Sequence, residues 1–63
     1  MEKIIEQIKQ IEDKSELTRI YNDYDNLFYA EEQEEARKDI TRIKLHIQSR
    51  IFELTNYENG KFV

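Results

Sequence analysis

The sequence predicts an all-α fold: an antiparallel helical hairpin, or three-helix arrangement, in which two shorter N-terminal helices pack on one long C-terminal helix. Three observations lead there. Apolar residues recur at steps of three and four through three successive stretches, the spacing that lines one face of a 3.6-residue helix. The chain of 63 residues has one Gly and no Pro, so little interrupts a helix. The two N-terminal stretches together are about as long as the third, which lets them lie back along it. The whole chain, 1–63, is read as a single small helical domain that self-associates into a helical bundle.

The first helix is expected over about 2–12, where Ile4, Ile5, Ile8 and Ile11 share a face and Lys3, Lys9, Glu2 and Glu6 solvate the other. That apolar phase would bury positions 15 and 18, but Ser15 and Thr18 stand there and the apolar series resumes at Leu17 and Ile20. A break therefore falls at 13–15. Asp13, with Glu16 three residues on, matches a capping box, and Ser15 is an alternative cap.

The second helix is expected over about 14–28, with Leu17, Ile20, Tyr21, Tyr24, Leu27 and Phe28 on one face. Its middle, Tyr21 to Asn26, is rich in Asn and Asp, which compete for backbone hydrogen bonds, so tertiary packing must hold it. A turn near 28–31 closes the hairpin; one unbroken helix over 15–56 is the alternative.

The third helix, over about 31–56, carries Ala36, Ile40, Ile43, Ile47, Ile51 and Leu54 on one face. Glu31, Glu32, Glu34 and Glu35 crowd its start, and Arg37, Lys38, Arg42, Lys44 and Arg50 follow, an order that suits the helix dipole. With Ile40 at zero and about 100° per residue, Leu45 and Phe52 fall at about 120–140°, off the main face. They form a second, narrow apolar seam. Either they are single exposed apolar side chains, which are normal, or the seam is buried by the first segment of the chain, a second copy or a partner. Asn59-Gly60 is a stop signal, and 57–63 is expected to be a flexible tail.

With the turn near residue 30, residue i should face about residue 60 − i, bringing Asp23 to Arg37 and Glu16 to Lys44. Residues 12–35 hold nine acids and two bases, and 37–50 hold five bases and one acid, so folding sets opposite charges side by side.

Composition narrows the function classes. So short a chain buries only about 60% of its unfolded surface, and chains of this size need a staple. Without Cys there is no disulfide or thiolate site, and a single His argues against zinc; no metal or cofactor is expected. Self-association or a larger protein partner remains. No stretch reaches the length of an apolar membrane span, and the N-terminus lacks a signal peptide's apolar core, so the expected location is the cytoplasm of a bacterial or host cell. His46, with Arg42 and Arg50 a turn to either side, lacks any neighbour that would make it a base, and one Gly rules out a phosphate loop. No catalytic constellation is present, and an enzyme is not expected.

Lys38, Arg42, His46 and Arg50 recur every four residues, a basic stripe suited to weak phosphate contact, with Lys38, Arg42 and Arg50 the expected nucleic-acid contacts. A net charge of −4 opposes that use. The acidic run from Asp23 to Glu35 could instead block a basic site on a DNA-binding protein. Tyr21 and Tyr24 fall on the core face, whereas Tyr29 lies off it beside the turn. Tyr29, Leu45 and Phe52 are therefore the candidate protein interface. The expected function is a non-enzymatic protein–protein interaction module, an accessory or regulatory protein; a nucleic-acid-associated regulator is the alternative.

In length, in the turn near Ala30-Glu31-Glu32-Gln33 and in the polar end after Asn59-Gly60, the chain resembles in shape the Rop-type helical hairpin, which implies dimerisation into a four-helix bundle. The short helix, break and Leu17-x-x-Ile20 before a longer helix resemble the Hha and H-NS oligomerisation family. Small size, acidic charge and absence of Cys are also shared with many bacteriophage accessory proteins.

Overall fold

Three helices account for nearly all of residues 2–58, the part of the chain described by the computed structural model: α1 (Glu2–Gln10), α2 (Lys14–Ala30) and α3 (Glu34–Glu58). There is no strand among the described residues. The all-α three-helix arrangement is thus present, with α3 packed against both α1 and α2. At about 1.5 Å per residue α3 is about 37 Å long, close to the 41 Å long axis of the molecule. It is the spine on which the other two helices lie.

The break at residue 13 forms as the capping pattern requires. Asp13 is extended (φ −95°, ψ 111°), and its side chain accepts from the Ser15 backbone N–H at 2.9 Å. An N-cap of this kind satisfies one of the four orphan donors of a helix start. Because α2 begins there, α1 closes two residues earlier than the periodicity suggests, on a tight Ile11 N–H to Ile8 C=O bond of 3.2 Å.

The hairpin turn also lies later than expected. Helix α2 continues to Ala30, and Glu31 ends it in an extended conformation (φ −83°, ψ 131°) while its N–H donates to the Leu27 and Phe28 carbonyls. The Glu31 carboxylate accepts from the Gln33 N–H at 3.1 Å, and the Gln33 carbonyl accepts the first α3 bond, from the Arg37 N–H at 3.0 Å. A carboxylate and an amide residue do here what Gly or Pro does in most turns. Glu31 and Glu32 are consequently in the connection, not in α3. At the far end α3 runs through Glu58, past the expected stop at Asn56. The Asn59-Gly60 signal and the rest of the tail lie outside the described residues.

Moving the turn moves the register. Lys44 meets Asp25, Gln48 meets Tyr21 and Lys14 meets Thr55, so facing residue numbers add to about 69, not 60. The expected pairs Asp23–Arg37 and Glu16–Lys44 do not form for that reason. Arg37 reaches Phe28, and Glu16 lies near Arg19 on its own helix.

The core is small. Ile8, Leu17, Ile43 and Ile47 form one buried cluster, flanked by Ile4, Ile11, Ile20, Tyr21, Tyr24, Ile51 and Leu54, with Ile40 also buried. The membership of Ile8 fixes the path of α1. If α1 continued the line of α2, Ile8 would lie beyond the end of α3; instead it packs beside Ile43 and Ile47, and the Ile11 carbonyl accepts from Arg50 Nε at 2.9 Å. Helix α1 therefore doubles back and runs parallel to α3, with α2 antiparallel to both. The first arm of the hairpin is folded on itself, which departs from the two-helix Rop-type outline.

Candidate interaction surface

The α3 helix presents two faces of different character. On the inner face, Ile40, Ile43 and Ile47 are buried and Ala36, Ile51 and Leu54 are partly so, as their spacing dictates. On its rims, cations hold the neighbouring helices. Arg37 places its guanidinium 4.3 Å from the Phe28 ring centroid while Nε donates to the Phe28 carbonyl at 3.3 Å. Lys44 donates to Asp25 at 2.6 Å and lies 5.1 Å and 5.2 Å from the rings of Tyr21 and Phe28. The hydrogen bond to Asp25 raises the Lys44 pKa above its ordinary value, against an opposing effect of burial. On the opposite rim Arg50 holds the α1–α2 connection through Ile11 and lies 3.7 Å from Glu53. Each ammonium or guanidinium here meets an aromatic face, a carbonyl or a carboxylate, the partners that compensate partial desolvation.

The expected basic stripe is therefore divided. Arg50 is committed to the fold, and His46, one turn before it, is half-buried. Lys38 and Arg42 remain exposed and, among the described residues, make no hydrogen bond or ion pair. Arg42 lies on the outer side of α3, and Lys38 lies beside it, lining with Phe28, Glu34, Arg37 and Thr41 a hollow at the α2 rim.

That outer side also carries the second seam. Leu45 is 56% exposed and Phe52 67%. Neither α1 nor α2 covers them, because those helices occupy the inner face and its rims. Beside them, Arg42, Leu45, His46 and Ser49 line a shallow depression of about 140 Å³. Those four positions follow the i, i+3, i+4, i+7 pattern that surrounds an incoming side chain where one helix packs on another.

Tyr29, expected to belong with these residues, is 75% exposed but sits at the hairpin tip, edge-on to Phe28 at 5.8 Å. The register sets it level with about residues 36–40 of α3, a turn or more before Leu45. Leu27, 53% exposed, is the apolar surface residue that periodicity missed. It lies at the edge of the expected core face of α2, about 80° from Leu17 at about 100° per residue. The signal was available in that angle, which sets Leu27 off the centre of the face.

Tyr21 and Tyr24 are half-buried in the core, and the Tyr21 hydroxyl accepts from Gln48 Nε2 at 3.1 Å. The Tyr57 side chain lies outside the described residues. No helix among the described residues is long and apolar enough to cross a membrane, and no group of three or more His, Cys, Asp or Glu side chains there could hold a metal ion. No family model, curated protein or solved structure matches the chain.

Proposed function

We propose that this chain is a non-enzymatic interaction module that works by protein contact through the outer face of α3, centred on Leu45 and Phe52. The observation that carries the reading is that both side chains stay more than half exposed on the helix whose inner face supplies most of the core. Such a pair, set beside a depression and two uncommitted cations, suits a contact patch. The rest of the molecule is then the scaffold that holds α3 straight. Action in the cytoplasm belongs to the same reading, which a chain without Cys suits.

A nucleic-acid-associated role has less support, because Arg37, Lys44 and Arg50 are engaged within the fold and Lys38 and Arg42 alone are a small electrostatic footprint. Parallel capture from an extract of the source cell with native chain and Leu45→Glu/Phe52→Glu as bait tests the proposal. The native bait should retain a protein that the double variant loses, while both give the same circular dichroism melt. Identical captured sets would overturn it.

A further inference from the structure

We propose that the occupant of the outer α3 face is the same face of a second copy, the two α3 helices antiparallel across a two-fold axis beside Ser49. The inference rests on the reading of that face as a contact surface and names its partner. Its basis is where the residues stand around the helix. With Ile40 at zero, Leu45 falls at about 140°, Phe52 at about 120°, Ser49 at about 180°, Arg42 at about 200° and Glu53 at about 220°. The face thus has an apolar edge and a charged edge, with a small side chain between them. All five residues are exposed.

Across an antiparallel two-fold, each edge meets its own symmetry mate, and residue i meets about residue 97 − i when the axis passes midway between Leu45 and Phe52. Leu45 of each copy then lies opposite Phe52 of the other, twice. On the charged edge, Arg42 of each copy comes within a turn of Glu53 of the other, again twice. Ser49 lies beside the axis, where its size lets the backbones approach. The depression formed by Arg42, Leu45, His46 and Ser49 comes level with Phe52 of the second copy, the one large ring on the face.

Reversing the direction removes the fit. In a parallel pair the two-fold runs along the helices, so the charged edge of each copy would lie against the apolar edge of the other, and both the Leu45–Phe52 and the Arg42–Glu53 pairings would be lost. The charge of the face also suits self-association. The chain as a whole carries −4, which repels a second copy, but on this side Glu34, Glu35 and Glu53 stand against Lys38 and Arg42, a net of −1. A face that is nearly neutral, apolar along one edge and self-complementary under one symmetry operation is the signature of an isologous contact.

Charge exchange tests the pairing. Sedimentation equilibrium of the native chain from micromolar to millimolar concentration should give a monomer–dimer equilibrium. Arg42→Glu or Glu53→Arg alone should weaken it by roughly tenfold, since two attractions become two repulsions. The double exchange Arg42→Glu/Glu53→Arg should return it to near the native value. Glu53→Arg also removes the Arg50 contact, but that loss is the same with and without the second change and cannot produce the recovery.

A nitroxide at Lys38→Cys reports direction: the two labels should be about 33 Å apart in the antiparallel dimer, against about 10–15 Å in a parallel one. A dimer without recovery in the double exchange, or with the short label distance, overturns the antiparallel pairing. A native chain that stays monomeric throughout overturns the second copy as occupant. If that monomer still captures a protein that Leu45→Glu/Phe52→Glu loses, the contact-surface reading survives its named partner.

Discussion

The two faces of α3 are made of similar residues put to different uses. Inside, three isoleucines are buried, two of them against Ile8 and Leu17, and the flanking cations are each tied to a ring, a carbonyl or a carboxylate. Outside, a leucine and a phenylalanine are largely exposed, and the two cations beside them make no hydrogen bond or ion pair among the described residues. The difference teaches that residue type does not decide a role here; the angle around one helix does. A rotation of about 120–140° separates an isoleucine that holds the fold from a leucine that does not.

The contrast should be largest on truncation. Ile47 is fully buried, and Ile47→Ala should cost about 2–5 kcal/mol, comparable to the whole stability of so small a domain, leaving it largely unfolded at 25 °C by urea titration. Phe52→Ala, though it removes more atoms, should change the stability of the monomer by no more than about 0.5 kcal/mol. Equal losses would erase the distinction between the faces.

The cations sharpen the same comparison at smaller scale. Arg37→Ala loses both the stacking on Phe28 and the bond to its carbonyl, and should lower the denaturation free energy by about 1–2 kcal/mol. Arg42→Ala should lower it by less than about 0.5 kcal/mol. Asp13→Ala, which removes the N-cap of α2, should cost about 1 kcal/mol and leave the outer face unaffected.

The smallest effect is one of pH. Lys44 has a raised pKa through its bond to Asp25, so its contribution is complete below the ordinary lysine value of 10.5 and is lost as pH rises through the higher folded value. Thermal melts of native chain and Lys44→Met between pH 8 and 11.5 should therefore converge only at the alkaline end. A difference that stays constant over that range would mean that the pair stabilises through packing alone.

Much of this is legible in the chain alone. The 3–4 spacing of Ile40, Ile43 and Ile47 gives the inner face, and Leu45 and Phe52 stand off it by simple geometry. The Asp13 cap is legible because a carboxylate before a helix has a local job, accepting from the Ser15 N–H. The hairpin turn is harder, since Glu31 and Gln33 build it from side-chain and backbone bonds that such residues make only in context. That shift of a few residues changes every cross-helix pair, so Lys44 finds Asp25 and not Glu16. The folding back of α1 is not legible at all. Periodicity shows which face of a short helix is apolar but not which neighbour it covers, and Ile8 beside Ile43 and Ile47 is a tertiary fact.

The most direct test of the division between the faces is a dilution series of methyl and aromatic carbon–proton spectra of the native chain. Signals of Leu45 and Phe52 should shift with concentration as the outer face gains and loses its second copy, while those of Ile40, Ile43 and Ile47 stay fixed. Isoleucine signals that move while Leu45 and Phe52 stand still, or a chain in which no signal depends on concentration, would contradict self-association through the outer face.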